Sequence, residues 1–326
     1  MTVLLTLDWR ERDGVFGDSV KRTRLLMGRL ETAGQSVQLV NINSPVAELR
    51  RTLEGKVVFV QADSPSPSAA VPPRYRVPHG FRLWLERNRF QFAGSRYSGV
   101  RRASTFSKPA SRAALRRCGI AIPKGMLVGD AVEVVARRLG LPLVVKQAYD
   151  TGSGVAVHLV NSIEMLREVV EWHKRVRRCG ALAEQFVTGR EFTAWVIERK
   201  GIPRVYGIVE FSKPHGASLL DHGAKIRMRS VEAFTDEDRY WPEARFAPDI
   251  GRELRARLED IAVRSHRACG LRHYSRIDVI AGENGPVVLD VNASPELDNW
   301  LEGAAARHGE TVPEVVHHLL EEAAHA

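Results

Sequence analysis

Four side chains near the C-terminal end of the chain, Arg276, Asp278, Asp290 and Asn292, are spaced to meet on one surface. They lie in Ser275 to Asp298, SRIDVIAGENGPVVLDVNASPELD, which reads as two alternating strands around a Gly-Glu-Asn-Gly turn, followed by an Asn-Ala-Ser-Pro helix start. In an antiparallel hairpin the numbers of facing residues add to a constant. A turn centred on Asn284 therefore sets Arg276 opposite Asn292 and Asp278 opposite Asp290. Period-2 alternation puts all four side chains on one face, and Ile277, Val279, Val288, Leu289 and Val291 supply strand propensity.

Two carboxylates about 5 Å apart destabilise a sheet unless something lies between them. A hard divalent cation would fill that role. Two carboxylates and an amide oxygen, completed by waters and substrate phosphates, is how Mg²⁺ is usually held, and Arg276 beside them could bind a phosphate. The solvated face of an ordinary hairpin is an equal reading of these four residues taken alone, so the rest of the chain has to decide.

The chain has 326 residues, enough for two or three domains, and its 44% hydrophobic and 27% charged content is ordinary for a globular protein. No apolar run nears the roughly 20 residues that span a bilayer, and MTVLLTLDWRER has no signal-peptide layout, so a cytoplasmic setting without membrane contact is expected. Cys118, Cys179 and Cys269 are scattered and lack metal-ligand or disulfide spacing. The net charge of +9 is spread over Arg-rich helices without interleaved aromatics. Solvated helix faces and attraction of anionic substrates account for it better than a nucleic-acid surface.

The elements that must position the four residues can be followed from the N-terminus. Strands at Val3 to Leu7, Val37 to Val40 and Val57 to Gln61 alternate with a helix capped by Asp18 and ending at Ala33-Gly34, and with a second capped by Ser44 with Pro45 at its first position. This alternation implies a small open parallel α/β domain. Asp63 to Pro73 is a Pro-rich loop, Phe81 to Arg87 a helix and Phe90 to Ala93 a strand. Beyond Ser107 the pattern changes. Lys108 precedes a helix over Ala110 to Cys118, another lies around Ala131 to Leu139, and Leu141 to Lys146 is a strand ending in a lysine. Tyr149 to Gly154 is a Gly/Ser loop whose backbone amides could wrap phosphates, although such a loop is more often a plain hairpin turn. Ile163 to Val176 is an amphipathic helix, Leu182 to Val187 and Glu191 to Ile197 are strands, and Arg252 to Ala268 and a segment from Thr311 are helices.

Lys108 and Lys146, Ser153 in its glycine loop, Glu184 two residues before Phe186, Glu191 after a Gly turn, then Arg276-x-Asp278 and Asp290-x-Asn292 occur in an order that resembles the ATP-grasp superfamily, and within it the D-alanine:D-alanine ligases, over nearly the whole chain. The resemblance implies a mixed α/β fold with a small N-terminal domain at 1–100 and two lobes that sandwich ATP, at 101–185 and 186–326. It implies that Lys108 and Lys146 contact the nucleotide phosphates or adenine edge, that Ser153 lies over the phosphates, that Glu184 and Phe186 sit at the adenine and Glu191 on the ribose. Lys225 matches a mobile-loop lysine that closes on the γ-phosphate. Arg276 would steady the oxyanion. Asp278, Asp290 and Asn292 would hold Mg²⁺, two ions by resemblance with Mn²⁺ as the alternative, and Ser294 and Glu296 would lie at the acceptor end.

The implied reaction is ATP-dependent joining of a carboxylate to an amine through an acyl phosphate, with small-molecule substrates and a homodimer left open. Three departures bear on substrate: Ile226 replaces a tyrosine, Glu296 a glycine, and the His-Gly segment of the first domain is reduced to Pro78-His79-Gly80. They point to an amino acid other than D-alanine and an amine acceptor in specialised metabolism. D-alanine:D-alanine ligase proper and a non-catalytic ATP-binding protein with a polyanion or protein partner are the alternatives.

Overall fold

The computed structural model describes residues 2–7, 17–60, 80–104, 106–129, 131–149, 157–177, 180–211, 244–246, 249–295, 297 and 299–325. The first of three sheets is built from β1 (Thr2–Leu7), α1 (Gly17–Thr32), β2 (Ser36–Asn41), α2 (Val46–Leu53), β3 (Val57–Phe59), α3 (Gly80–Arg87) and β4 (Gln91–Ala93). Its strands run in the order β2-β1-β3-β4 with every pair parallel. Alternation divides each strand between two cores. Val3, Leu5, Val57 and Phe59 face one, and Leu4, Val58 and Val60 face another with Leu49, Leu53, Phe81, Trp84 and Leu85.

Two helix starts beside the first sheet differ from the sequence expectation. Helix α1 begins at Gly17, so Asp18 lies inside its first turn. In α2 the N-cap is Pro45 at φ −54° and ψ 142°, with no side-chain cap, so helical geometry begins one residue later than Ser44 would set it.

Next come α4 (Tyr97–Val100) and α5 (Lys108–Arg117), then the second sheet: β5 (Gly125–Val128), α6 (Val132–Leu139), β6 (Leu143–Gln147), β7 (Val157–Val160), α7 (Ile163–Trp172) and β8 (Ala181–Gln185). Helix α5 starts at Lys108 itself, because Ser107 caps it by accepting the Ala110 N–H at 3.2 Å. The second sheet is antiparallel in the order β5-β8-β6-β7, and α6 and α7 pack on it through Val132, Val135, Leu166 and Val170.

The third sheet contains β9 (Arg190–Arg199), β10 (Ile202–Phe211), β11 (Ala244–Phe246), β12 (Tyr274–Gly282) and β13 (Gly285–Asn292), in the order β11-β10-β9-β12-β13, with α8 (Arg252–Ala268) intervening in sequence. Strand β10 was not anticipated. Pro203 and Gly207 interrupt its alternation, and the register with β9 shifts between Val205 and Gly207. Leu258, Ile261 and Ala262 of α8 pack on Phe192, Ala194, Val196, Ile277, Val279 and Val291.

Helix α9 (Asn299–Ala306) begins well after Asn292, although the sequence suggests a helix directly following the hairpin. The Ser294 N–H is donated to Asn292 Oδ1 at 2.9 Å, an Asx-type turn that bends the chain away from the strand before any helix forms. Helix α10 (Val312–Ala324) starts where expected, with a capping box between Thr311 and Glu314. No helix among the described residues is long and apolar enough to cross a membrane.

Candidate active site

The β12–β13 hairpin pairs Arg276 with Asn292, Ile277 with Val291 and Asp278 with Asp290. The turn differs from the one expected. Gly282 pairs with Gly285, so the loop is Glu283-Asn284, and the register then shifts between Asp278 and Val279. An unbroken ladder from that turn would set Asp278 against Leu289. Leu289 instead forms a bulge, which restores the carboxylate pair. Gly285 serves the tight turn at φ +106°, where a Cβ would lie 2.2 Å from Arg257 Nη2.

The neighbouring strand adds a group that the motif reading missed. Thr193 of β9 pairs with Asp278, and its hydroxyl donates to Asp278 Oδ1 at 2.6 Å. Arg276 Nε is 3.3 Å from the same oxygen. Glu191, two residues from Thr193, shares its face by strand period. Thr193 could have been found by extending that period from Glu191 across to the hairpin.

Lys146 reaches this hairpin from the second sheet. Its ammonium is 2.6 Å from Glu184 Oε2 and donates to the Leu289 carbonyl at 3.2 Å. The bulge thus presents a main-chain oxygen to a cation on another sheet. Glu184 is buried and also ion-paired with Arg112 Nη1, while Arg112 Nη2 donates to the Pro123 carbonyl at 2.7 Å. Burial lowers the Arg112 pKa, opposed by Glu184. Gly125 makes the packing feasible, since a Cβ there would lie 2.7 Å from the Ala183 carbonyl and 2.8 Å from Glu184 Cγ.

Lys108 is buried in the first turn of α5, with Nζ 3.4 Å from the Ser104 carbonyl. Ser104 docks on the outer edge of β13: its N–H donates to the Val291 carbonyl at 2.8 Å, and Val291 N–H donates to Ser104 Oγ at 3.0 Å. Both lysines therefore border the hairpin, from two different elements. Phe186 lies just beyond β8, where its N–H donates to the Pro142 carbonyl. Ser294 Oγ accepts from Arg82 Nη2 at 2.6 Å. Ser153, Lys225, Ile226, Glu296 and the Pro78-His79 pair lie outside the described residues.

Among the described residues no group of three or more His, Cys, Asp or Glu side chains is arranged to hold a metal. The hairpin instead brings together two carboxylates and a carboxamide, an all-oxygen set on one face. That donor chemistry fits a hard ion such as Mg²⁺ and does not fit a thiolate- or imidazole-seeking metal. Cys118 is exposed and Cys269 buried, both as free thiols.

Residues 124–321 match the family described as "D-ala D-ala ligase C-terminus". A D-alanine–D-alanine ligase of Desulforudis audaxviator is 27% identical over 315 residues, covering 93% of this chain and 92% of that protein. One from Marinobacter nauticus is 31% identical over 223 residues, covering 66% and 62%. Among solved structures, the D-alanine–D-alanine ligase of Bacillus anthracis complexed with ATP superposes with a TM-score of 0.73 at 14% identity, over 100% of this chain and 98% of that one. D-alanyl-alanine synthetase A of Vibrio cholerae gives 0.72 at 16%, over 99% and 98%. The fold is that of the ATP-grasp ligases. The chain belongs to the D-alanine–D-alanine ligase family. It is an ATP-dependent, ADP-forming carbon–nitrogen ligase that acts on small molecules.

Proposed function

We propose that this enzyme joins two amino acids, with D-alanine as donor and acceptor the first pair to test, by converting the donor carboxylate to an acyl phosphate that the acceptor amine attacks. The observation that carries the reading is the opposition of Asp278 and Asp290, with Arg276 and Asn292 on the same face and Lys146 reaching the bulge beside them. The named relatives support D-alanine as substrate. A second reading, an amino acid other than D-alanine joined to another amine in specialised metabolism, draws on Ile226, Glu296 and the shortened Pro78-His79-Gly80 segment.

In this proposal the chain divides at 1–100, 101–185 and 186–326, and its setting is the cytoplasm. Asp278, Asp290 and Asn292 would hold Mg²⁺, two ions by resemblance, with Mn²⁺ as the alternative. The metal would supply charge neutralisation at the transferred phosphate. Lys108 and Lys146 would contact the nucleotide phosphates or the adenine edge, Ser153 would lie over the phosphates, and Lys225 would close on the γ-phosphate. Glu184 and Phe186 border the adenine and Glu191 the ribose. Arg276 donates to the oxyanion as the amine adds to the acyl carbon. Ser294 and Glu296 line the acceptor end. A homodimer and the lack of a nucleic-acid partner complete the proposal.

The test is ADP release from Mg²⁺-ATP with D-alanine, and with a panel of L- and D-amino acids and amines, using hydroxylamine as a surrogate nucleophile. Dipeptide from D-alanine alone, with a D-alanyl hydroxamate under trapping, is the expected result. A hydroxamate formed only with another carboxylate would shift the assignment to the second reading. ADP release without any hydroxamate or amide would overturn the acyl-phosphate step.

A further inference from the structure

Arg82 is fully buried on α3, beside Phe81, Trp84 and Leu85, which fill the core of the first sheet. Burying a guanidinium costs several kcal/mol unless its donors are satisfied, and an apolar side chain of similar size would fill the space without that cost. The fork is instead spread over three elements. Nη1 donates to the Ser95 carbonyl at 2.8 Å, just after β4. Nη2 lies 3.4 Å from the Val60 carbonyl, just after β3, and 2.6 Å from Ser294 Oγ. The chain makes room for it at Gly94, φ +121°, where a Cβ would stand 2.6 Å from Nη1.

Ser294 is the link to the site. Its N–H donates to Asn292 Oδ1 at 2.9 Å, and its hydroxyl accepts from Arg82. The turn that orients the Asn292 carboxamide is thus anchored by a cation rooted at the carboxyl ends of two parallel strands of the first sheet. An outer hydrogen bond of this kind fixes the rotamer of a ligand and so tunes the ion it holds.

We propose that Arg82 is a positioning residue for the metal-holding hairpin: through Ser294 it fixes the amide of Asn292 and so couples the first sheet to metal affinity. The inference rests on the proposed role of Asn292 as a ligand. It makes the alignment of the third oxygen donor depend on how the first sheet sits against the third.

The test is Mn²⁺ binding, followed by electron paramagnetic resonance, to the full-length protein loaded with a non-hydrolysable ATP analogue. Wild type, R82Q, S294A and R82Q/S294A are compared, each also melted without metal. The expected result is an apparent Kd for Mn²⁺ raised about tenfold in each single variant, with the double variant no weaker than either single, because both act through one contact. Full Mn²⁺ affinity in a folded R82Q overturns the inference, as does a double variant whose losses multiply. If R82Q does not fold, S294A and S294V interrogate the same contact with the buried cation intact, and unchanged affinity in both overturns it. D278N separates the two levels. Undiminished Mn²⁺ binding in D278N overturns the metal assignment and this inference with it, whereas loss in D278N with none in S294A overturns the inference alone.

Discussion

Lys146 donates its ammonium across 3.2 Å to the carbonyl of Leu289, the one residue by which β13 exceeds its partner strand beside the carboxylates. The same ammonium is 2.6 Å from Glu184, and both side chains are nearly inaccessible. Lys146→Met leaves the buried Glu184 carboxylate paired with Arg112 and takes away one charged hydrogen bond, at a cost of roughly 2 kcal/mol. Adding Glu184→Gln should deepen that loss, because it takes the carboxylate from the buried Arg112 guanidinium. Chemical denaturation of the single and double variants checks the coupling, and ATP affinity should fall in both.

The Thr193 hydroxyl holds one oxygen of Asp278. Thr193→Val keeps the shape and removes that donor, so the Mg²⁺ concentration for half-maximal rate should rise about tenfold with little change in ATP affinity. Asp278→Asn should reduce turnover at least about 100-fold. Steady-state kinetics over a Mg²⁺ titration separates the two.

Burial pushes the His273 imidazole down to about 4 from an ordinary value of 6.5, against the pull of Glu198. The native ring stays neutral where the unfolded ring takes up a proton. Its contribution to stability is complete above pH 6.5 and is lost as the pH falls toward 4. Between pH 7.5 and 5 the loss is about 2 kcal/mol. Burial would raise Glu198, but hydrogen bonds from His266 and the His273 N–H hold it below its ordinary value, adding acid sensitivity of the same sign below about pH 4.5. His273 has φ +64°, a conformation asparagine tolerates. His273→Asn should therefore flatten the slope between pH 7.5 and 5 in urea titrations; an unchanged slope would place the acid sensitivity elsewhere.

Gly207 lies at the irregular point of β10, where a Cβ would come 2.4 Å from the Cβ of Ala304 on α9. Gly207→Ala should cost about 2 kcal/mol through overpacking. Ala304→Gly in the same chain should restore most of it, since the two positions compete for one volume. Thermal melts of both variants and the pair check this.

The opposition of Arg276 with Asn292 and Asp278 with Asp290 was legible in the sequence because hydrophobic alternation and a Gly-bounded turn specify a hairpin locally. The Leu289 bulge was not, since a one-residue register shift leaves both strands with the same pattern. Strand β10 was obscured by Pro203 and Gly207, whose tertiary setting overrides their poor strand propensity. Nothing in the sequence marks Arg82 and Arg112, because their partners Ser294 and Glu184 are respectively 212 and 72 positions away. Lys146 and Glu184 were placed from their order along the chain, yet nothing in that order announces their ion pair.

The core that α9 and α10 share with Val3, Leu5, Val57, Phe59 and Ala93 also takes in Trp195, Ile197 and Tyr274. The oily side of the first sheet is therefore finished by residues made long after its own strands. As the chain leaves the ribosome, that side is covered only in part, by Leu26 and Leu30 of α1, until Leu319 and Leu320 emerge. Completion of this core waits for segments far along the chain, and the interval before it is when chaperones have most to shield.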